Sequence, residues 1–107
     1  MNPIAHPPGL PTDLTARTIF VSGGGSAGPG WSIGRASCVT YARLGANVCV
    51  VDRDAASAEE TTKIILQEGG VPQTFVGDVS EEDEVKRLFS EARNQFGPID
   101  VLHHNVG

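Results

Sequence analysis

Basic residues are few in this chain of 107 amino acids: eight Lys and Arg stand against 13 Asp and Glu, which gives a net charge of −5. This balance argues against a nucleic-acid partner or an anionic membrane surface, because either would favour a basic face. Hydrophobic runs are short, and none approaches the roughly 18 residues of a membrane span. The N-terminus has no basic start followed by an apolar stretch, so we do not expect a secretory signal.

Cysteine and histidine are also scarce, with two cysteines and three histidines. The spacing of Cys38 and Cys49 matches no metal-binding or redox motif, so we expect two reduced, buried thiols in a cytoplasmic protein. His103 and His104 are adjacent in a predicted strand, and their side chains therefore point to opposite faces of the sheet. They do not easily share one metal ion, and we predict no metal site.

Glycine and proline, in contrast, are common and divide the chain into segments. Residues 1–16 are rich in proline and are predicted to form a disordered tail. Apolar, β-branched runs then alternate with helical patterns. Asp54 is a plausible N-cap of the second helix, and Ser80 with Asp83 resembles a capping box at the start of the third. The predicted strands are 17–22, 47–52, 73–76 and 99–103, and the predicted helices are 32–44, 55–67 and about 80–96.

The order of these elements is β-α-β-α-β-α-β. Such alternation predicts an α/β fold, a Rossmann-like, doubly wound parallel sheet with right-handed crossovers, here truncated after the fourth strand. The first two helices are expected on one face of the sheet and the third on the other. The fourth strand would then form an edge with unpaired backbone groups beside an apolar patch, which predicts self-association of the chain.

A glycine-rich stretch, SGGGSAGPGWSIGRA, separates the first strand from the first helix. The pattern G-x-G-x-x-G occurs at Gly23, Gly25 and Gly28, but the helical pattern begins only near Ser32. Gly34 is therefore the glycine that lies in the first turn of the helix. We assign Gly23 to the tight exit from the strand and Gly34 to close packing of the helix, and Asp52 ends the next strand at the expected distance.

This arrangement suits a dinucleotide. A pyrophosphate binds where backbone N–H groups and the positive end of a helix dipole converge, and side chains on the loop would hold it away. An acid at the tip of the following strand accepts hydrogen bonds from the ribose hydroxyls of adenosine. Ser32 either caps the helix alone or also contacts phosphate through its hydroxyl.

With these motifs, the chain resembles the short-chain dehydrogenase/reductase family from about residue 17 to residue 107. That family has a T-G-x-x-x-G-x-G loop, which SGGGS…SIGRA resembles, with Ser22 in the threonine position, residues 27–31 inserted and Ser32 in place of the middle glycine. The stretch Gly77-Asp78-Val79-Ser80 is similar to the family's motif near the adenine. The stretch His104-Asn105-Val106-Gly107 is similar to its N-N-A-G motif.

The resemblance implies that residues 17–107 are the N-terminal half of an NAD(P)-binding Rossmann domain. Asp52 would repel the 2′-phosphate of NADP, which favours NAD, although Arg53 could soften the preference. The resemblance and the loop pattern together assign cofactor contacts to Gly23, Ser26, Ser32, Ile33, Gly34, Asp52, Arg53, Asp78, Val79, Asn105 and Gly107.

The family's chemistry uses a tyrosine, a lysine four residues later and a serine, all located beyond the fourth strand. This chain has one tyrosine, Tyr41, which lies in the first predicted helix and is followed four residues later by Gly45. We therefore interpret Tyr41 as a packing or surface residue and assign no catalytic residue.

The resemblance thus implies an NAD(P)-dependent oxidoreductase acting on an alcohol or carbonyl of a small molecule, of which this chain is the dinucleotide-binding part. Two alternatives remain open. One is a non-catalytic nucleotide-binding or interaction module. The other is an enzyme similar to the enoyl-carrier-protein reductases, whose loop is also long and ends in Ser-Ile-Ala, compared with Ser32-Ile33-Gly34 here.

Overall fold

A computed structural model of the chain describes residues 13–26 and 31–105. Strands and helices alternate along this part of the chain, as the sequence predicted. The elements are β1 (Thr18–Ser22), α1 (Ile33–Arg43), β2 (Asn47–Asp52), α2 (Ala55–Gln67), β3 (Val71–Val76), α3 (Glu82–Phe96) and β4 (Val101–His104).

The four strands form one sheet in the order β3-β2-β1-β4, and every neighbouring pair is parallel. Phe20 in the middle of β1 is aligned with Cys49 on one side and with Leu102 on the other. This order and direction confirm the predicted Rossmann-like sheet. Because all strands run in one direction, their carboxyl ends meet at a single edge of the sheet, where ligands bind in such folds.

Helices cover both faces of the sheet, as predicted. On one face, α1 and α2 pack over a core that includes Val21, Val48 and Val50. On the other face, Leu88 and Ala92 of α3 pack over a second core, and the ring of Phe89 stacks on Phe20 with centroids 4.5 Å apart. The sheet is therefore packed between α1 and α2 on one face and α3 on the other. The loop after β1 leaves this sheet and leads into α1.

The third strand and the third helix each begin at a different residue from the one predicted. The third strand begins at Val71 rather than residue 73 and includes Pro72, which an edge strand tolerates because it lacks a second neighbour. The predicted capping box of α3 was wrong. Its N-cap is Glu81, which makes no side-chain capping bond. The Ser80 hydroxyl does not cap the helix but donates to the Asp78 carboxylate at 2.7 Å.

The fourth strand also lies slightly later than predicted, at Val101–His104 rather than 99–103. Ile99 packs against the α3 core, and Asp100 donates its N–H to the Thr18 carbonyl just before the regular pairing begins. Among the described residues, β4 lies at an edge of the sheet, as expected, with Leu102 57% exposed.

Four described residues belong to the predicted tail. Within them, the Leu14 N–H donates to the Leu44 carbonyl at 3.0 Å, and the Leu14 side chain packs against the core. The other residues of the predicted tail lie outside the described part of the chain.

Both cysteines are buried and free, as predicted. Cys38 is in α1 and Cys49 is in β2, and burial raises the pKa of each thiol to about 12. Of the helices in the described ranges, none has the length and apolar character needed to cross a membrane.

Candidate functional site

A groove of about 520 Å³ lies at the carboxyl ends of the strands. The loop after β1, the ends of β2 and β3, the start of α2 and the tip of β4 all contribute to it. Its lining residues are Gly23, Gly25, Ser26, Ser32, Val51, Asp52, Arg53, Asp54, Ser57, Gly77, Asp78, Val79, Ser80 and Asn105.

Two glycines hold the strand exit, the helix start and the β4 tip in contact. Gly23 has a φ of +72°, and a Cβ atom there would collide with the backbone carbonyl of Asn105. A Cβ atom on Gly34 would collide with the Gly23 carbonyl. A side chain at Gly23 would push the tip of β4 away from the strand exit, and one at Gly34 would push α1 away from it, so both close approaches require glycine.

Ser32 caps α1. Its hydroxyl accepts a hydrogen bond from the Arg35 N–H at 3.2 Å and donates to the Gly25 carbonyl at 2.6 Å. One side chain thus ties the start of the helix to the glycine-rich loop. The capping role predicted for Ser32 is confirmed, and its contact with phosphate stays a prediction.

Asp52 is the charged residue at the end of β2. One carboxylate oxygen accepts the Gly25 N–H, and the other accepts the Asp54 N–H, each at 3.0 Å. Asp54 in turn caps α2 by accepting the Ser57 N–H at 3.2 Å, as predicted. Each oxygen of Asp52 keeps a second lone pair, so the half-buried carboxylate can accept further hydrogen bonds from a ligand.

The loop after β3 supplies a second acid. Asp78 accepts hydrogen bonds from the hydroxyl of Ser80 at 2.7 Å and from its N–H at 2.9 Å. These bonds, with a smaller contribution from the nearby charge of Arg53, hold the pKa of Asp78 below its ordinary value. The Gly77 N–H donates to the Asp52 carbonyl at 3.0 Å, which fixes this loop beside β2.

The structure brings most of the residues assigned from the sequence into this one groove. They are Gly23, Ser26, Ser32, Asp52, Arg53, Asp78, Val79 and Asn105. Gly34 lies beneath the loop rather than in the lining, and Ile33 is 74% exposed at the start of α1. Gly107 lies outside the described residues. That any of these residues contacts a cofactor stays a prediction.

The sequence interpretation missed Gly25 and Ser57 as members of the site. A Cβ atom on Gly25 would press on the Ser57 side chain and on the Asp52 carboxylate. The Ser57 hydroxyl donates to the Ser26 carbonyl at 2.6 Å and accepts the Ser26 N–H at 2.5 Å. The second glycine of the G-x-G-x-x-G pattern was a usable signal for Gly25, whereas a serine in the first turn of α2 has no such signal.

The adjacent histidines lie on opposite faces of the sheet, as predicted. His103 Nδ1 is 2.5 Å from the Tyr41 hydroxyl, on the side of α1. His104 Nδ1 is 2.8 Å from the Ser22 hydroxyl, and its side chain lines a small apolar groove with Phe89 of α3. The half-buried Tyr41 therefore contributes to packing between α1 and β4, as interpreted from the sequence.

Comparison with known proteins supports the resemblance to short-chain dehydrogenases that the sequence motifs indicated. The family model for short-chain dehydrogenases matches residues 17–107. Glucose 1-dehydrogenase 2 of Bacillus subtilis is 34% identical over 96 residues, which cover 89% of this chain and 35% of that protein.

Two solved structures share the fold. A hydroxysteroid dehydrogenase from Escherichia coli superposes with a TM-score of 0.82 at 29% identity, over 90% of this chain and 39% of that one. A 7α-hydroxysteroid dehydrogenase in complex with NADH and 7-oxo glycochenodeoxycholic acid superposes with a TM-score of 0.79 at 28% identity. The match covers 85% of this chain and 34% of that one. The chain spans about a third of the length of the curated relatives that it matches. By its sequence and fold, the chain belongs to the short-chain dehydrogenase family.

Proposed function

We propose that this chain forms the NAD-binding part of an oxidoreductase that acts on an alcohol or carbonyl group of a small molecule. The observation that carries the proposal is the position of the Asp52 carboxylate. Backbone N–H groups fix both of its oxygens in a groove that the glycine-rich loop also lines. A fixed acceptor beside such a loop suits the adenosine ribose of a dinucleotide.

The residues present fit this cofactor. The groove is lined by the backbone of Gly23 and Gly25, where side chains would fill the space or collide with neighbours. The capped start of α1 provides the positive end of a helix dipole for the pyrophosphate. Asp52 would accept the ribose hydroxyls, and Asp78 with Val79 would lie beside the adenine. Bound NAD supplies hydride acceptance and donation, and the chain's own residues would bind and orient it.

NAD fits this groove better than NADP. A 2′-phosphate on the ribose would meet the negative charge of Asp52. The exposed Arg53 is the basic residue in the described lining, and it lies near enough to Asp78 for its charge to lower the pKa of that acid. The 7α-hydroxysteroid dehydrogenase of similar fold was solved with NADH, which agrees with this preference.

One observation supports a second candidate, a nucleotide-binding module without catalysis. Tyr41 is the single tyrosine of the chain, and its hydroxyl contacts His103 on the α1 face of the sheet, opposite the small apolar groove that His104 lines. A catalytic tyrosine and lysine would therefore have to come from residues other than 1–107. The resemblance to enoyl-carrier-protein reductases depends on the long loop and on its ending, Ser32-Ile33-Gly34. Residues 27–30 of that loop lie outside the described ranges, and the resemblance stays an alternative.

Calorimetric titration of the purified protein with NAD and NADP tests the proposal. We expect saturable binding of NAD and weaker binding of NADP. Assays with alcohols as hydride donors to NAD then separate an enzyme from a binding module. Failure of both dinucleotides to bind at millimolar concentration would refute the proposal.

We also propose a cytoplasmic location and self-association of the chain. The two free thiols are typical of a reducing compartment. The edge strand β4, with Leu102 exposed, offers backbone groups and apolar surface to a second copy. Sedimentation of the purified protein at several concentrations measures the association, and a monomer at every concentration would refute it.

A further inference from the structure

A buried arginine lies beneath the glycine-rich loop. The side chain of Arg35, in the first turn of α1, is 2% exposed. Its Nε donates to the Thr61 hydroxyl at 2.9 Å, and its Nη2 donates to the Ser57 carbonyl at 3.2 Å and lies 3.5 Å from the exposed carboxylate of Glu60. A buried guanidinium is costly unless its N–H groups have partners, so these bonds to α2 strongly constrain its position.

The same network reaches the loop. The Thr61 hydroxyl, which is fully buried, donates to the Gly24 carbonyl at 2.8 Å. Because Arg35 Nε can only donate, Thr61 must accept from it, and the hydroxyl proton is left to point at Gly24. The neighbouring Ser57 holds Ser26 through both its N–H and its carbonyl.

These bonds flank the residue that touches the proposed ribose acceptor. Gly25 lies between Gly24 and Ser26, and its N–H donates to Asp52. Movement of either neighbour would shift that N–H and the carboxylate it holds. Neither Arg35 nor Thr61 belongs to the groove lining, so both act on the site through the residues that they hold, which are Gly24 in the loop and Ser57 in the lining.

We propose that Arg35 and Thr61 are positioning residues of the dinucleotide site. They hold residues 24–26 in the shape that presents the Gly25 N–H to Asp52. This inference rests on the proposed function for its effect on binding, but its effect on the loop can be measured without any nucleotide.

The next residue of α2 provides a matched control. The Thr62 hydroxyl lies 2.7 Å from the hydroxyl of Thr74 in β3 and makes its bond away from the loop. Thr61→Val and Thr62→Val each remove one hydroxyl from the same helix with little change of volume. A general loss of stability would be seen in both variants, whereas a change in the conformation of the loop is expected only in Thr61→Val.

The experiment measures two quantities for the wild type, both valine variants and Thr61→Ser. The first is the Kd for NAD by calorimetry, at a temperature where circular dichroism shows each variant folded. The second is amide hydrogen exchange of residues 24–26 without nucleotide. We expect Thr61→Val to raise the Kd about tenfold and to speed exchange in the loop, because a buried carbonyl loses its donor. Thr62→Val should do neither, and Thr61→Ser should behave as the wild type.

Equal Kd values and equal loop exchange in the two valine variants would overturn the proposal and leave Thr61 a structural residue. If Thr61→Val does not fold, Arg35→Lys replaces it in the comparison, because an ammonium cannot reproduce the guanidinium fork that holds Thr61 and Ser57 together. A wild type that binds neither NAD nor NADP would refute the proposed function. Faster loop exchange in Thr61→Val alone would still support the positioning of the loop.

Discussion

The backbone N–H of Gly25 donates a hydrogen bond to the carboxylate of Asp52 across 3.0 Å. This bond joins the loop after β1 to the end of β2, two segments that meet only because their strands are parallel neighbours. It sets the carboxylate before any ligand arrives. A preorganised acceptor loses less conformational entropy on binding, which favours tight recognition of the ribose hydroxyls.

A side chain at Gly23 would be unfavourable for two reasons, the positive φ and the collision with Asn105, and mutation of a second glycine separates the two effects. Gly69 has a similar φ, +83°, but a Cβ atom there has nothing within 4 Å, whereas one on Gly23 would collide with Asn105. Gly69→Ala should lower the free energy of unfolding by about 1 kcal/mol through backbone strain alone. Gly23→Ala should lower it by at least about 3 kcal/mol, since overpacking adds to the strain. Urea denaturation measures both, and equal losses would contradict the close approach of β1 and β4.

Ser80 controls the acidity of Asp78. Its hydroxyl is the main cause of the lowered pKa of Asp78, so Ser80→Ala should raise that pKa toward the ordinary value of 3.8. Because the pKa of Asp78 is lower in the folded state, its carboxylate stabilises the fold at any pH above the ordinary pKa of an aspartate. That stabilisation is lost as the pH falls through the lower pKa of the folded state. NMR titration of the Asp78 carboxyl group measures the shift. Ser90→Ala, an exposed serine of α3, is the control, and an unchanged pKa in Ser80→Ala would refute the assignment.

Tyr41 is expected to support packing rather than catalysis. Its hydroxyl is 2.5 Å from His103 Nδ1, and the two rings pack edge to face. Tyr41→Phe keeps the ring and removes the hydroxyl, so it should lower the free energy of unfolding by about 1 kcal/mol. The Kd for NAD should stay at the wild-type value. If Tyr41→Phe instead abolishes activity of the folded protein without loss of stability, the packing interpretation is wrong.

The cysteines should be inert in the native protein. Burial raises the pKa of Cys38 and of Cys49 to about 12, so almost no thiolate forms at pH 8. A colorimetric thiol reagent should react with neither residue until denaturant is added, and with both afterwards. Rapid reaction of either thiol under native conditions would contradict the packing of α1 on the sheet.

Local signals explain how much of the fold could be predicted from the sequence. The bounds of β2 and α2 agree with the prediction because a β-branched run and the Asp54 cap define them within a few residues. Gly23 was assigned correctly to the strand exit, which its φ of +72° confirms. The capping box at Ser80 failed because Asp78, two residues earlier, competes for the same hydroxyl.

The parts of the site that were missed depend on tertiary contacts. Ser57 and Thr61 reach the loop only because α2 packs against it, and the sequence spacing of 26 residues between Arg35 and Thr61 carries no periodic signal. A buried arginine is also contrary to expectation from composition, since arginine is mostly exposed. The hydrogen bonds of this network could be recognised only with the helices in place.

Asp52 provides the most direct test of the central claim that this chain binds NAD through a fixed carboxylate. Asp52→Asn keeps the size of the side chain and removes its charge, and Asp83→Asn removes one charge from an exposed position of α3 as the control. Calorimetry with NAD and NADP gives the ratio of the two Kd values for each protein. We predict that Asp52→Asn weakens NAD binding about tenfold and brings the two Kd values together, because the 2′-phosphate no longer meets a negative charge. If the ratio of the Kd values for NAD and NADP is the same in Asp52→Asn, in Asp83→Asn and in the wild type, the account is contradicted.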